Sequence, residues 1–172
     1  STLRGLVTHQ LSSDVTFRGM LSYGDYSKFY DNVFAGGPVD GTNNSVLINS
    51  YNNGTDRTNL MGQADLIWDT TLGGFDHSVL IGFEAGRQES ENLRVNTESA
   101  VFSLADRGRD FTPDFTVAPA RNNTNDLDLF AVLVQDQIQI SDTVQAVLGV
   151  RLDRFDLRFD DRRPGSTDFA RE

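Results

Sequence analysis

No cysteine occurs among the 172 residues, which removes disulfides, thiolate metal sites and cysteine nucleophiles at once. Lysine is nearly missing too: Lys28 stands alone and every other strong base is arginine. Positive charge is scarce overall, and the formal net charge of −10 excludes a nucleic-acid partner, because phosphate binding needs clustered cations. Long apolar runs are absent as well. The longest, from Phe130 to Val134, is far below the roughly 18 residues of a membrane helix. No basic segment followed by an apolar one opens the chain, so its original start is expected to have been removed.

What is present is aromatic residues at 10% and Gly at 15 residues, a mixture suited to half-buried strands joined by turns. Alternation of apolar and polar residues marks about six strands. The first covers residues 1–10. After the turn at 11–14, Val15, Phe17, Leu21 and Tyr23 alternate with Thr16, Arg18 and Ser22, and the strand runs on into Tyr26, Phe29 and Tyr30. A polar stretch at about 31–54 reads as a long loop, since Gly36-Gly37-Pro38, Asp40-Gly41 and Asn53-Gly54 are turn formers. The third and fourth strands, at 55–70 and from His77 onward, are joined by a tight Gly73-Gly74 turn. A second long polar stretch at about 91–125 leads to a strand at 126–140, a turn at 141–143 and a strand at 144–160. There the apolar phase shifts to Phe155, Leu157 and Phe159, which predicts a bulge or a change of surroundings.

Strands of this length, with connections that alternate short and long, match transmembrane barrels. The expected fold is therefore all-β, an antiparallel up-and-down meander. A soluble β-sandwich or adhesin-like binding module is the alternative reading. Six strands are too few to close a membrane barrel, so a fragment is expected.

Wording strengthens this. Leu133-Val134-Gln135-Asp136, followed by Gly149-Val150-Arg151-Leu152-Asp153, resembles the barrel of TonB-dependent siderophore receptors, with Leu133 and Leu152 at positions where an aromatic is usual. The stretch from Asp56 to Leu66 and the later Gly82-Phe83-Glu84 resemble the same family. The resemblance implies that residues 1–172 are part of a 22-stranded barrel in the outer membrane of a Gram-negative bacterium. It also implies uptake of a ferric siderophore, driven through a TonB-contacting plug that is not recognisable in this sequence. No catalytic residue, resident cofactor or nucleic-acid partner is expected, and outer-membrane lipid is.

On that reading Val79, Ile81, Phe83, Leu148 and Val150 face lipid, while Gln63, Asp65, Glu84 and Arg151 face the lumen. Tyr23, Tyr26, Phe29 and Tyr30 form either an interfacial aromatic girdle or a ligand platform. Tyr26, Tyr30, Arg57, Arg87 and Arg94 are the candidate ligand residues, and Arg107, Arg109 and Arg121 are further loop cations able to attract an anionic chelate. His9 and His77 lack partners that would make a metal site. Asn122, Thr124, Asp126 and Asp128 lack the Gly and Glu of a calcium loop.

Overall fold

The computed structural model describes residues 1–97, 99–105 and 112–171. Alternating side chains that leave one stripe apolar and the next polar fold into a single antiparallel sheet with the order β1-β2-β3-β4-β6-β7-β8, and β5 pairs with β3. The strands are β1 Thr2–Gln10, β2 Val15–Ala35, β3 Ser45–Leu72, β4 Phe75–Asn96, β5 Ala100–Ser103, β6 Arg121–Ser141, β7 Val144–Asp161 and β8 Phe169–Arg171. β3 is 28 residues long, and β2, β4 and β6 have 21, 22 and 21. One sheet, rather than two packed face to face, sets aside the sandwich alternative.

Register decides which residues share a face. Val15, Trp68, Val79, Asp136 and Leu148 stand in one transverse row, and Leu21, Gly62, Ala85, Phe130 and Arg154 in another. Counting by twos from these rows puts Phe17, Leu66, Ile81, Val134 and Val150 on the same side, which becomes a continuous apolar band. Its side chains are open to the surroundings: Ile81 is 49% exposed and Leu148 65%. The sequence sets Val79, Ile81, Phe83, Leu148 and Val150 against Gln63, Asp65, Glu84 and Arg151, and the two sets do occupy opposite faces. On the polar face Arg151 reaches Glu84 at 2.5 Å and Asp153 at 2.9 Å.

Val15 begins its strand, whereas its row partners Trp68, Val79, Asp136 and Leu148 lie well inside theirs. The first short turn is thus displaced along the strand direction from the β3–β4 and β6–β7 turns, a stagger of the kind that a tilted barrel wall requires. The β3–β4 turn is made by Gly73 and Gly74 at φ 62° and 86°, the left-handed pair that a type I′ hairpin demands.

The expected loops are too long. β2 continues to Ala35 and β3 starts at Ser45, so the connection is residues 36–44 rather than 31–54. Likewise β4 runs to Asn96 and β6 starts at Arg121, well inside the expected loop at 91–125. These strand ends carry Asn, Ser and Asp with little difference between the two faces, and such composition reads as loop. β5 continues the line of β4 along β3: Tyr51 pairs with Asn96 and Ile48 with Ala100. The phase change in β7 involves no bulge. Its register with β6 is unbroken from Gln145 to Asp161, and Phe155, Leu157 and Phe159 simply fall on the otherwise polar face.

Ala131 is fully buried beneath that face, and nearby a Cβ on Gly82 would stand 2.7 Å from Cγ of Leu133 and 3.0 Å from a carboxylate oxygen of Asp65. Gly82→Ala is therefore expected to destabilise the wall by about 1–3 kcal/mol through overpacking. Urea unfolding of the intact protein measures this, and a change within 0.3 kcal/mol would mean Leu133 moves aside freely.

Candidate functional site

Beyond the apolar band the strands continue upward, and their two faces differ in charge. The outward row above the band carries Arg87, Asp128 and Asp156, and the next carries Asp25, Thr58, Glu89, Asp126 and Arg158. Arginines here are neutralised: Arg87 lies 2.8 Å from Glu89, and Arg154 lies 3.4 Å from Asp156.

The inward face is the reverse. Lys28, Arg57, Arg94 and Arg121 point to it, and among the described residues none of these four makes an ion pair. The inward positions of 26–34, 49–59, 86–96 and 121–129 include no carboxylate. They are filled by aromatics, amides and hydroxyls. Asn92 donates to Asn123 at 3.1 Å, Thr55 donates to Asn92 at 3.2 Å and Arg57 donates to Ser90 at 2.9 Å. In these upper segments a chain of net charge −10 thus turns its acids outward and, among the described residues, shows four cations without an ion pair inside. Arg94 and Arg121 are even direct cross-strand partners in one row with Tyr30 and Asn53, a like-charge pairing that costs stability unless something anionic sits on it.

Tyr51 organises the cluster. Its ring meets Tyr30 edge-on at 5.9 Å and Phe34 at 6.0 Å, while the Arg94 guanidinium lies 3.9 Å from its centroid. Asn32 donates to its hydroxyl at 3.2 Å. That bond, then the contact with Tyr30, with Arg94 and Lys28 adding, holds the Tyr51 phenol below its ordinary acidity range, and Tyr30 is pushed above it chiefly by Tyr51. Lys28 covers the Tyr30 ring at 4.9 Å, and Arg94 is steadied further by Asn96 at 2.9 Å. At the top of β7, Arg163 grips Asp161 at 2.6 Å and holds its carboxyl down at about 2, which removes the nearest inward acid from competition.

Of the expected ligand residues, Tyr26, Tyr30, Arg57 and Arg94 share this inward face. Arg87 does not: it sits one position out of phase, on the outward side with Glu89 and Asp128. The aromatic cluster splits the same way. Tyr23 and Phe29 turn outward, and Tyr26 and Tyr30 turn inward, so the four rings do not form one patch. Arg121 lies in the site, and Arg107 and Arg109 lie outside the described residues. Tyr51 and Lys28 are not legible as site residues, because Tyr51 falls in the polar stretch that reads as loop and Lys28 in an aromatic strand end. Extending the alternation Tyr51, Asn53, Thr55, Arg57 upward would have found Tyr51. His77 is on the apolar face, where its Nδ1 donates to Asp136 at 2.8 Å.

The family model described as TonB dependent receptor-like, beta-barrel, matches residues 2–172. No curated protein sequence matches the chain. Among solved structures, FpvAI in its complex with pyocin S2 superposes with a TM-score of 0.80 at 14% identity, over 99% of this chain and 23% of that one. P. aeruginosa FpvA bound to heterologous pyoverdines gives 0.74 at 15% identity, over 99% and 22%. The ferric-catecholate import receptor Fiu of E. coli K12 gives 0.72 at 18% identity, over 99% and 30%. The chain therefore spans between about a fifth and a third of the length of these structures.

Proposed function

Because this chain belongs to the TonB-dependent receptor-like β-barrel family, we propose that it forms part of the wall and outer vestibule of a receptor importing anionic ferric siderophores across a Gram-negative outer membrane. The apolar band faces lipid, and the face bearing Gln63, Asp65, Glu84 and Arg151 lines the lumen. The upper parts of β2, β3, β4 and β6 rise past the lipid and enclose the mouth. Energy is supplied through TonB by a region outside this chain.

One observation supports an anionic cargo: among the described residues, the inward positions of 26–34, 49–59, 86–96 and 121–129 hold four cations without an ion pair and no carboxylate. A wall lined by one sign of charge raises the local concentration of the opposite sign, and siderophore-bound ferric iron commonly leaves the complex anionic.

Two experiments test this. Spin labels at Val79, Ile81, Phe83, Leu148 and Val150 of the intact receptor in bilayers are expected to collide with lipid-dissolved oxygen, and labels at Gln63, Asp65, Glu84 and Arg151 are not; reversal of the two sets would invert the wall. Deletion of the full gene in its host is expected to abolish uptake of at least one ferric chelate. Unchanged uptake of every chelate tried would remove the import reading.

A further inference from the structure

The cations of the vestibule and its rings stand in an unequal relation, and that relation bears on what the cargo shows them. The faces of Tyr51 and Tyr30 are already in use: Arg94 lies over the first at 3.9 Å and Lys28 over the second at 4.9 Å, while Phe34 meets Tyr51 edge-on. An aromatic ligand ring could stack there only by displacing a cation from the ring that steadies it. Around these two rings the inward positions offer N–H donors: Arg94 and Arg121 in one row with Asn53, and Lys28, Asn92 and Asn123 in the row beneath, while the half-exposed ring of Tyr26 lies one row lower still.

Resting on the import reading above, we propose that this vestibule selects a ferric chelate carrying peripheral carboxylates, of the Fe(III)–hydroxycarboxylate class, with Arg94 and Arg121 as the carboxylate-binding pair and Tyr51 as the residue that positions Arg94. A guanidinium fork matches a carboxylate in two parallel hydrogen bonds, a geometry that a metal-bound catecholate oxygen, with its partner oxygen committed to iron, does not offer. A charge-neutral tris-hydroxamate complex would leave the opposed Arg94 and Arg121 uncompensated. A peripheral carboxylate relieves their repulsion directly, and the amide ladder below accepts and donates to hydroxyl groups of the same ligand.

The test is equilibrium binding by the intact detergent-solubilised receptor of three probes: ferric citrate, a ferric tris-catecholate and a ferric tris-hydroxamate. Ferric citrate is expected to bind at least about tenfold more tightly than either of the others. Arg94→Gln and Arg121→Gln are each expected to weaken it about tenfold or more, consistent with loss of a charge-assisted contact. Tyr51→Leu, which removes the ring under Arg94, is expected to weaken it about fivefold or more, and Tyr51→Phe to restore most of that loss. Circular dichroism of each variant checks that the barrel is intact. Tighter binding of the catecholate or the hydroxamate overturns the carboxylate assignment while leaving import standing. Binding of none of the three also overturns it, and the deletion strain then decides separately whether the import reading survives. A Tyr51→Phe variant as weak as Tyr51→Leu would remove Tyr51's positioning role.

Discussion

Ile81→Arg is expected to destabilise the intact receptor in a bilayer by about 2–4 kcal/mol. Ile81 stands at the middle of the apolar band, in register with Leu66 on one side and Val134 on the other. Its side chain projects from the apolar face and is 49% exposed. In lipid that exposure is to hydrocarbon, where a guanidinium must reach toward the interface or draw water in. Glu84→Gln, on the opposite face, leaves Arg151 one of its two carboxylates, Asp153 at 2.9 Å, and is expected to cost well under half as much. Unfolding by urea in phospholipid vesicles compares them. Equal costs would mean that the two faces see the same medium and would defeat the wall orientation.

Replacing Lys28, Arg57, Arg94 and Arg121 together with glutamine is expected to slow association with an anionic ferric chelate by about 10- to 1000-fold at low salt. The loss should shrink steeply as salt rises, because the effect is carried by a long-range field that ions screen over about 10 Å at 0.1 M. A field of this kind can exist on an acidic chain only because alternation sends Asp25, Asp56, Glu89, Glu91, Asp126 and Asp128 to the other side of a wall one strand thick. Stopped-flow fluorescence at low and high salt measures it. An association rate that ignores both the substitutions and the salt would show that the inner cations serve the wall and not the cargo.

Much of the fold was readable in sequence where the two faces of a strand differ. Phe17 between Thr16 and Arg18, and Val150 between Gly149 and Arg151, show the contrast that marks the strands and turns and sets the two faces apart. Above the band the contrast fades. Asn32 and Asp31, or Asn53 and Asn52, sit on opposite faces and look alike, so β2 and β3 were cut short and Tyr51 was lost with them. Pairing across strands is what keeps such polar residues extended, and a pairing partner tens of residues away leaves no local trace. Arg87 failed for a simpler reason: it is one residue out of phase with Arg94 and Arg57 in the register, and spacing along a single strand does not say which face is the useful one. The shift of Phe155, Leu157 and Phe159 is visible in sequence, where a change of surroundings is the favoured reading over a bulge, and the unbroken register with β6 leaves no bulge there.

β3 has one more consequence. Its portion from Ser45 up to the top of the apolar band is about as long as the portion below it, and at roughly 3.3 Å per residue and a tilt near 45° it carries the wall some 30–35 Å beyond the lipid. In the proposed orientation the part of the outer surface that β2, β3, β4 and β6 supply is therefore continuous sheet. Antibodies and other large ligands meeting it would read side chains from three or four strands at once. Peptides copied from any one connection would be poor mimics of that surface, and unfolding the barrel would erase most of its antigenic identity even with every residue intact.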